Sequence, residues 1–337
     1  MSKESRRTNR ERLRQERIKQ KKRAKRNRLL ATIGAAVAVI ALVVGGGYLI
    51  VQASNGTSAE EYTGTLAPQT LQEDGSVVMA LDGVAAPVVE VYADYQCSHC
   101  ARFEMINGDT LKELAAQGEA IVHYRPVSIF ADAGDPAGAN SLRAAAAARA
   151  AAEHGKFVEY SDILFDNQPS TRQQGYAVDD LIAWGEEVGI TDPAFAERVR
   201  SESEIVEEFV TNYYPELSTK ARAEIPEDQL RTMRLNDLIE WGEDNGVDSS
   251  FMDGSHVRSV LDATAAVNAK YSEGANAFGG TPSIYINGTL LGNETYSATD
   301  FREAVLAAPP GQVDTRPAAE EDTDATPSEP PSPSPPA

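Results

Sequence analysis

Pro87-Val88-Val89-Glu90-Val91-Tyr92-Ala93-Asp94-Tyr95-Gln96-Cys97-Ser98-His99-Cys100-Ala101-Arg102-Phe103-Glu104-Met105 is the stretch that decides the fold of this chain. Its start, Pro87 to Tyr92, is an apolar, β-branched run and reads as a buried strand. From Cys97 the pattern becomes helical and extends to about Gln117, with Leu111, Leu114 and Ala115 among the later apolar positions. The only two cysteines of the chain fall at the junction, at i and i+3. On a helix start that spacing turns both thiols the same way and lets them close a small disulfide ring. Cys97 would there meet unpaired backbone N–H groups and the end of the helix dipole that favours negative charge. Strand, Cys-x-x-Cys, helix is the layout of a redox site.

A structural disulfide and a zinc site both fit the pair less well. A purely structural disulfide across so short a span closes too small a loop to restrain the unfolded chain much. A zinc site wants four protein ligands when structural and three when catalytic. No third cysteine exists, and His123, His154 and His256 stand at no ligand spacing. Neither a metal nor a cofactor is expected.

Working outward, the charge is split. Residues 1–28 hold fourteen Lys/Arg against three Glu, whereas the rest of the chain holds 17 basic and 48 acidic residues. Between the two lies Leu29 to Val51, twenty-three residues without a charge. At about 1.5 Å per residue that length spans a bilayer core with some tilt. The basic flank precedes it, which places residues 1–28 in the cytoplasm and everything after Val51 outside. A cleaved signal peptide is the alternative, with Val51-Gln52-Ala53 as its cleavage site, but the apolar stretch and the basic segment are both long for one. The basic segment is expected to orient the anchor and rest on anionic lipid heads; binding a dedicated partner is its other reading. The acidic outer portion argues against nucleic acid as a ligand. Outside the cytoplasm disulfides persist, so an oxidised cysteine pair is sustainable there.

Residues 52–69 read as a tether, and the globular part as residues 70–308. Val77 to Leu81 and Ala120 to Ile129 are further strands. About Asp135 to Ala275 reads as mostly helical, with the Ala-rich Ser141–Ala152 as a strong helix former and Gly155 as a break. Asp180-Leu181-Ile182-Ala183-Trp184-Gly185-Glu186 is echoed by Asp237-Leu238-Ile239-Glu240-Trp241-Gly242-Glu243, with Gly189 and Gly246 following at the same offset as helix caps. This suggests a duplicated helix whose Trp serves the core rather than a binding platform. Ser283 to Ile286 resumes a sheet, Asn287-Gly288 is a hairpin turn and Thr289 to Leu291 the return strand. Asp300 to Ala307 closes as a helix. Residues 309–337 hold nine of the 18 prolines with many Ser and acidic residues, and read as a disordered tail. The sequons at Asn55, Asn287 and Asn293 match a pattern that arises by chance.

Asp94-Tyr95-Gln96-Cys97-Ser98-His99-Cys100 after its strand, together with Gly279-Gly280-Thr281-Pro282 before the Ser283–Asn287 strand, resembles the DsbA-like branch of the thioredoxin superfamily. The likeness covers roughly residues 75–308. It implies an α/β thioredoxin-like fold with an inserted helical domain (about 135–275), here preceded by one transmembrane helix, and thiol–disulfide exchange on secreted proteins. By that likeness Pro282 follows a cis peptide bond and faces the cysteines, and Thr281 offers its backbone to an extended peptide, as in strand addition. Cys97 is implied as the attacking and attacked sulfur and Cys100 as the buried resolving thiol. His99, just before Cys100, would help to steady a Cys97 thiolate, and Ser98 would add a weak hydrogen bond. Family members often carry a buried acid six residues before the first cysteine. That position is Val91 here, and strand alternation sends Glu90 to the opposite face. The expected function is a membrane-anchored oxidase that hands disulfides to reduced secreted proteins and is restored by a membrane re-oxidant. A reductase or isomerase, and a non-catalytic binding protein, are the alternatives.

Overall fold

Six strands form one sheet in the order β1-β2-β4-β3-β5-β6. They are β1 (Gln69–Leu71), β2 (Val77–Met79), β3 (Val88–Ala93), β4 (Ile121–Pro126), β5 (Ser283–Ile286) and β6 (Thr289–Leu290). The computed structural model describes residues 62–292 and 296–314. The basic segment, the apolar span 29–51, most of the expected tether, the sequons at Asn55 and Asn293, and the tail beyond residue 314 lie outside the described residues. Among those described, no helix is long and apolar enough to cross a membrane.

Strands β3 and β4 are parallel, and all other neighbours are antiparallel. The crossover between β3 and β4 is α1 (Ser98–Ala116), so the cysteine motif opens the helix of a β-α-β unit. Strand β5 pairs with the other side of β3, placing Val91 opposite both Tyr124 and Ile284. The residue between the central strand and α1 therefore sits at the carboxyl end of the sheet, where side chains from several elements converge.

The expected helical stretch resolves into α2 (Ala137–Ala152), α3 (Phe157–Asp166), α4 (Val178–Glu187), α5 (Pro193–Glu208), α6 (Tyr214–Glu224), α7 (Glu227–Leu230), α8 (Leu235–Asp244) and α9 (His256–Lys270); α10 (Ala298–Ala307) follows the sheet. Helices α5 and α6 join through a wider π turn at Phe209–Tyr213. The Ala-rich run is the centre of the helical layer: every residue of α2 is buried, packed on α5 and α9. Small side chains let neighbouring helices approach closely on all its sides, which is why alanine rather than leucine fills it.

The echoed Trp-Gly element has a physical basis. In α4 a Cβ on Gly185 would lie 2.1 Å from the Phe195 ring, and in α8 one on Gly242 would lie 2.4 Å from Leu217. Each helix then ends in the same way: Ile190 N–H returns to the Gly185 carbonyl and Val247 N–H to the Gly242 carbonyl, both at 2.8 Å. The intervening Gly189 (φ 88°) and Gly246 (φ 83°) occupy the left-handed cap position that such an ending needs. Trp184 and Trp241 pack half-buried against the core.

Two boundaries differ from expectation. The fold starts earlier than Thr70: Ala67 is buried and Gln69 opens β1, because the Gln69 side chain bonds Val158 N–H and Glu159 across to α3. Residues 309–314, expected in the tail, are held to the domain. Gly311 N–H donates to the Ala86 carbonyl (3.0 Å), Asn287 Nδ2 donates to the Pro309 carbonyl (2.7 Å), and Val313 packs on the small cluster of Ala86, Val88 and Ile121. Asn287 also accepts from Val88 N–H (2.9 Å), so its amide is fully engaged.

Candidate active site

Strand β3 ends at Ala93, and the turn Asp94-Tyr95-Gln96 delivers Cys97 to the N-cap of α1. Cys97 N–H returns to the Asp94 carbonyl (3.0 Å), while the Cys97 carbonyl accepts from Cys100 N–H (3.0 Å) and Ala101 N–H (3.2 Å). No side chain caps this helix. The first N–H groups of α1 are thus left facing the Cys97 side chain.

Both cysteines are reduced and buried, Cys97 6 % and Cys100 1 % exposed. Their environments drive them apart. The Cys100 thiol beside the Cys97 sulfur outweighs burial; Thr281 and the backbone N–H groups of Cys100 and His99 add to it, and the Cys97 thiol is pulled down to about 5. Burial pushes the Cys100 thiol well up, and its bond to Cys97 pushes it further. One sulfur is therefore ready to carry charge and the other to keep its proton.

The second motif arrives from the start of β5. Thr281-Pro282 is a cis peptide, and Cys97 Sγ donates to the Thr281 carbonyl at 3.2 Å. Cys97, Cys100 and Thr281 are brought together as the motifs implied, with Pro282 next in the chain. Ser98 and His99 are exposed on the first turn. What His99 brings to the Cys97 sulfur is its backbone N–H. The remaining histidines are dispersed: His123 Nε2 lies 2.6 Å from Ser76 Oγ, His154 meets the Phe195 ring, and His256 pairs with Glu153.

Val91 occupies the position of the expected buried acid and lines a cavity of about 20 Å³ with Tyr95, Tyr124 and Glu104. Burial and the charge of Asp162 push the Glu104 carboxyl up to about 7. Glu90 faces the other way, as strand alternation requires. It meets Lys270 Nζ (2.9 Å), Tyr271 OH (2.7 Å) and Arg125 Nε (3.1 Å). Burial raises its carboxyl, but these partners outweigh burial and hold it below the ordinary carboxylate range.

Two residues of the site escaped the sequence reading. Asp94 is fully buried, and its carboxylate accepts from Gln96 N–H (2.8 Å), Ile129 N–H (2.8 Å), Phe130 N–H (3.2 Å) and Ser141 Oγ (2.8 Å). Burial nevertheless lifts it to about 6. Its own N–H points at Cys100 Sγ, 3.5 Å away. It ties the cysteine turn to α2 and to the loop after β4. Asp94 lies inside the quoted motif, but apart from Gln96 its partners are 35 to 47 residues away and nothing local announces them. Gln168, just after α3, donates to the carbonyls of Tyr95 (2.8 Å) and Cys97 (3.1 Å); no sequence signal marks it.

Residues 82–305 match the family model described as Thioredoxin. No curated protein matches the chain. Among solved structures it is similar to the MdbA protein, a thiol-disulfide oxidoreductase from Corynebacterium diphtheriae, at 16% identity and TM-score 0.42, covering 72% of this chain and 99% of that one. It is similar to DsbA from Mycobacterium tuberculosis in reduced form at 19% identity and TM-score 0.40, over 73% of this chain and 95% of that one. It is similar to oxidised BdbD from Bacillus subtilis at 17% identity and TM-score 0.40, over 72% and 97%. The family match spans well over half of the chain and contains both the cysteine pair and the Thr281-Pro282 peptide, and the chain belongs to the thioredoxin family.

Proposed function

We propose that this protein is a DsbA-like thiol:disulfide oxidoreductase, anchored in the cell membrane with its catalytic domain outside, that works as an oxidase of reduced secreted proteins. The observation that carries the reading is the divergence of the two sulfurs, with Cys97 pulled down to about 5 and Cys100 pushed well up. A pair whose reduced form is steadied as a thiolate gives up its disulfide readily.

In the oxidising direction the pair starts as the Cys97–Cys100 disulfide. A substrate thiolate attacks Cys97 Sγ; a substrate–Cys97 bond forms, the Cys97–Cys100 bond breaks, and Cys100 leaves as a thiolate that takes up a proton. A second substrate thiolate then attacks the substrate sulfur of the mixed disulfide. The substrate disulfide forms, and Cys97 leaves as the thiolate held by the Cys100 thiol and the head of α1. Two electrons have passed from substrate to the pair. A membrane re-oxidant would take them back. The Thr281 backbone, beside Cys97, would hold the substrate's extended chain by strand addition, with Pro282 facing the pair and Ser98 and His99 at the rim. Anchoring rests on the uncharged stretch 29–51 behind a basic flank, which would lie against anionic lipid.

Equilibration of the pair against glutathione buffers of known poise tests the direction. The oxidase reading expects the reduced pair to persist under conditions where an ordinary structural disulfide stays closed. A pair that remains oxidised in strongly reducing glutathione would reverse the assignment to a reductase.

A further inference from the structure

Besides the Ser141 bond to Asp94, the helical layer reaches the cysteine turn through the segment that follows α3. After α3 ends, the Gln168-Pro169 segment crosses in front of the turn that carries Cys97. Gln168 Nε2 donates to the Tyr95 carbonyl at 2.8 Å and to the Cys97 carbonyl at 3.1 Å. Gln96 Nε2 answers by donating to the Pro169 carbonyl at 2.8 Å. Tyr176 OH bridges the Tyr95 carbonyl (2.9 Å) and the Leu164 carbonyl (3.0 Å), which ties the same turn to the last stretch of α3. All of these bonds are accepted by main-chain carbonyls, and none of them uses a thiol.

The Cys97 carbonyl is the first acceptor of α1, and its orientation decides where the first N–H groups of that helix point. With no side-chain cap on α1, the N–H groups of His99 and Cys100 are available to the Cys97 sulfur only while the N-cap backbone holds its extended conformation (φ −83°, ψ 113°). The Gln168 amide bonds the same carbonyl that accepts from Cys100 and Ala101 N–H. Its donated hydrogens also reduce the negative potential of an oxygen belonging to the same residue as the developing thiolate.

We propose that Gln168 is a positioning residue for thiol–disulfide exchange: it pins the Cys97 carbonyl to the helical layer and so keeps the head of α1 aimed at the Cys97 sulfur when that sulfur is charged. The inference rests on the reading of Cys97 and Cys100 as the exchanging pair. It deepens that reading by giving the inserted helices a part in setting the equilibrium.

The test uses the full chain carrying Gln168→Ala, Gln168→Glu or Tyr176→Phe. Three quantities are read: the pH profile of Cys97 alkylation, the glutathione equilibrium of the pair, and thermal unfolding of the oxidised form. Gln168→Ala is expected to move the alkylation midpoint upward and to shift the glutathione equilibrium several-fold toward the disulfide. Gln168→Glu, of the same length without the donor, is expected to shift both further. Tyr176→Phe, which removes a neighbouring bond to Tyr95 and leaves the Cys97 carbonyl alone, is expected to lower thermal stability without moving the midpoint. Wild-type midpoints and equilibria in both Gln168 variants overturn the proposal, as does an equal shift in Tyr176→Phe. If Gln168→Glu does not fold, Gln168→Ala decides alone. Because each variant is judged against the wild type, this outcome is separate from whether the wild-type pair is oxidising.

Discussion

Glu90 on strand β3 and Cys97 just beyond its end are charged sites built on opposite plans. On one face Glu90 sits buried among Lys270, Arg125, Tyr92 and Tyr271, with Asp74 completing the ion pairs through Arg125. Charge there is permanent, and each ion has its counter-ion within reach. At the carboxyl end Cys97 has no counter-ion. It is held by a neighbouring thiol and by backbone N–H groups. Ion pairs suit a charge that never leaves, because removing one partner strands the other in a low dielectric. Dipoles and neutral donors suit a charge that comes and goes with a covalent bond, because they are satisfied well enough without it. The first arrangement holds the sheet to α9 and to the segment after α10; the second supports chemistry.

Substitution should separate the two. The largest effect belongs to the sulfurs: Cys97→Ala removes all exchange, and Cys100→Ala leaves a thiol that accumulates mixed disulfides with substrate, seen as thiol-sensitive adducts on non-reducing gels. Adducts through Cys100 in the Cys97 variant would invert the assigned roles. Next comes Asp94→Ala. It leaves the buried N–H groups of Gln96, Ile129 and Phe130 without their acceptor, and more than about 3 kcal/mol of stability is expected to go, together with a slower exchange rate because the same turn carries Cys97. Denaturant unfolding and a turnover assay measure the two parts. Glu90→Gln is the counterpart on the far face: about 3 kcal/mol of destabilisation, with the Cys97 alkylation profile unchanged. A shifted profile there would mean that the two regions communicate and would break the comparison. Glu90 is held below the ordinary range, so its contribution to stability is full above that range and is lost as pH falls through its folded value. His99→Leu is expected to have the smallest effect. Its ring is exposed and its backbone N–H survives the change, so the glutathione equilibrium should move by about 1 kcal/mol or less.

The sequence exposed this division unevenly. The β-α-β unit was legible because apolar alternation, a two-cysteine helix start and a Thr-Pro before a second strand are all local signals. Strand alternation alone separated Val91 from Glu90. The Trp-Gly echo was visible too, although its reason, a neighbouring side chain seated on each glycine, required the packing. What stayed hidden depends on partners far along the chain. Arg149 lies in an alanine run that reads as plain helix former, yet it is fully buried, making long contacts to the carbonyls of Asp74 (3.4 Å) and Pro126 (3.5 Å). Burial lowers its guanidinium to about 10. Asp94 and Gln168 are of the same kind: their roles exist only once α2, α3 and the cysteine turn have met. Near residue 309 proline content marked a tail, whereas the amide of Asn287 and the Ala86 carbonyl hold the chain as far as Asp314.

Whether the head of α1 and its neighbours steady a charge on Cys97 is read from the pH profile of Cys97 alkylation in the reduced protein. A thiol whose folded value is depressed stabilises the reduced state fully above the ordinary thiol value and loses that stabilisation as pH falls through the folded one. Reactivity is therefore expected to be nearly constant at and above neutral pH and to drop below it with a midpoint near 5, with the reduced protein losing its extra stability over the descent from 9. A single midpoint near 9, the value of an ordinary thiol, would contradict the account.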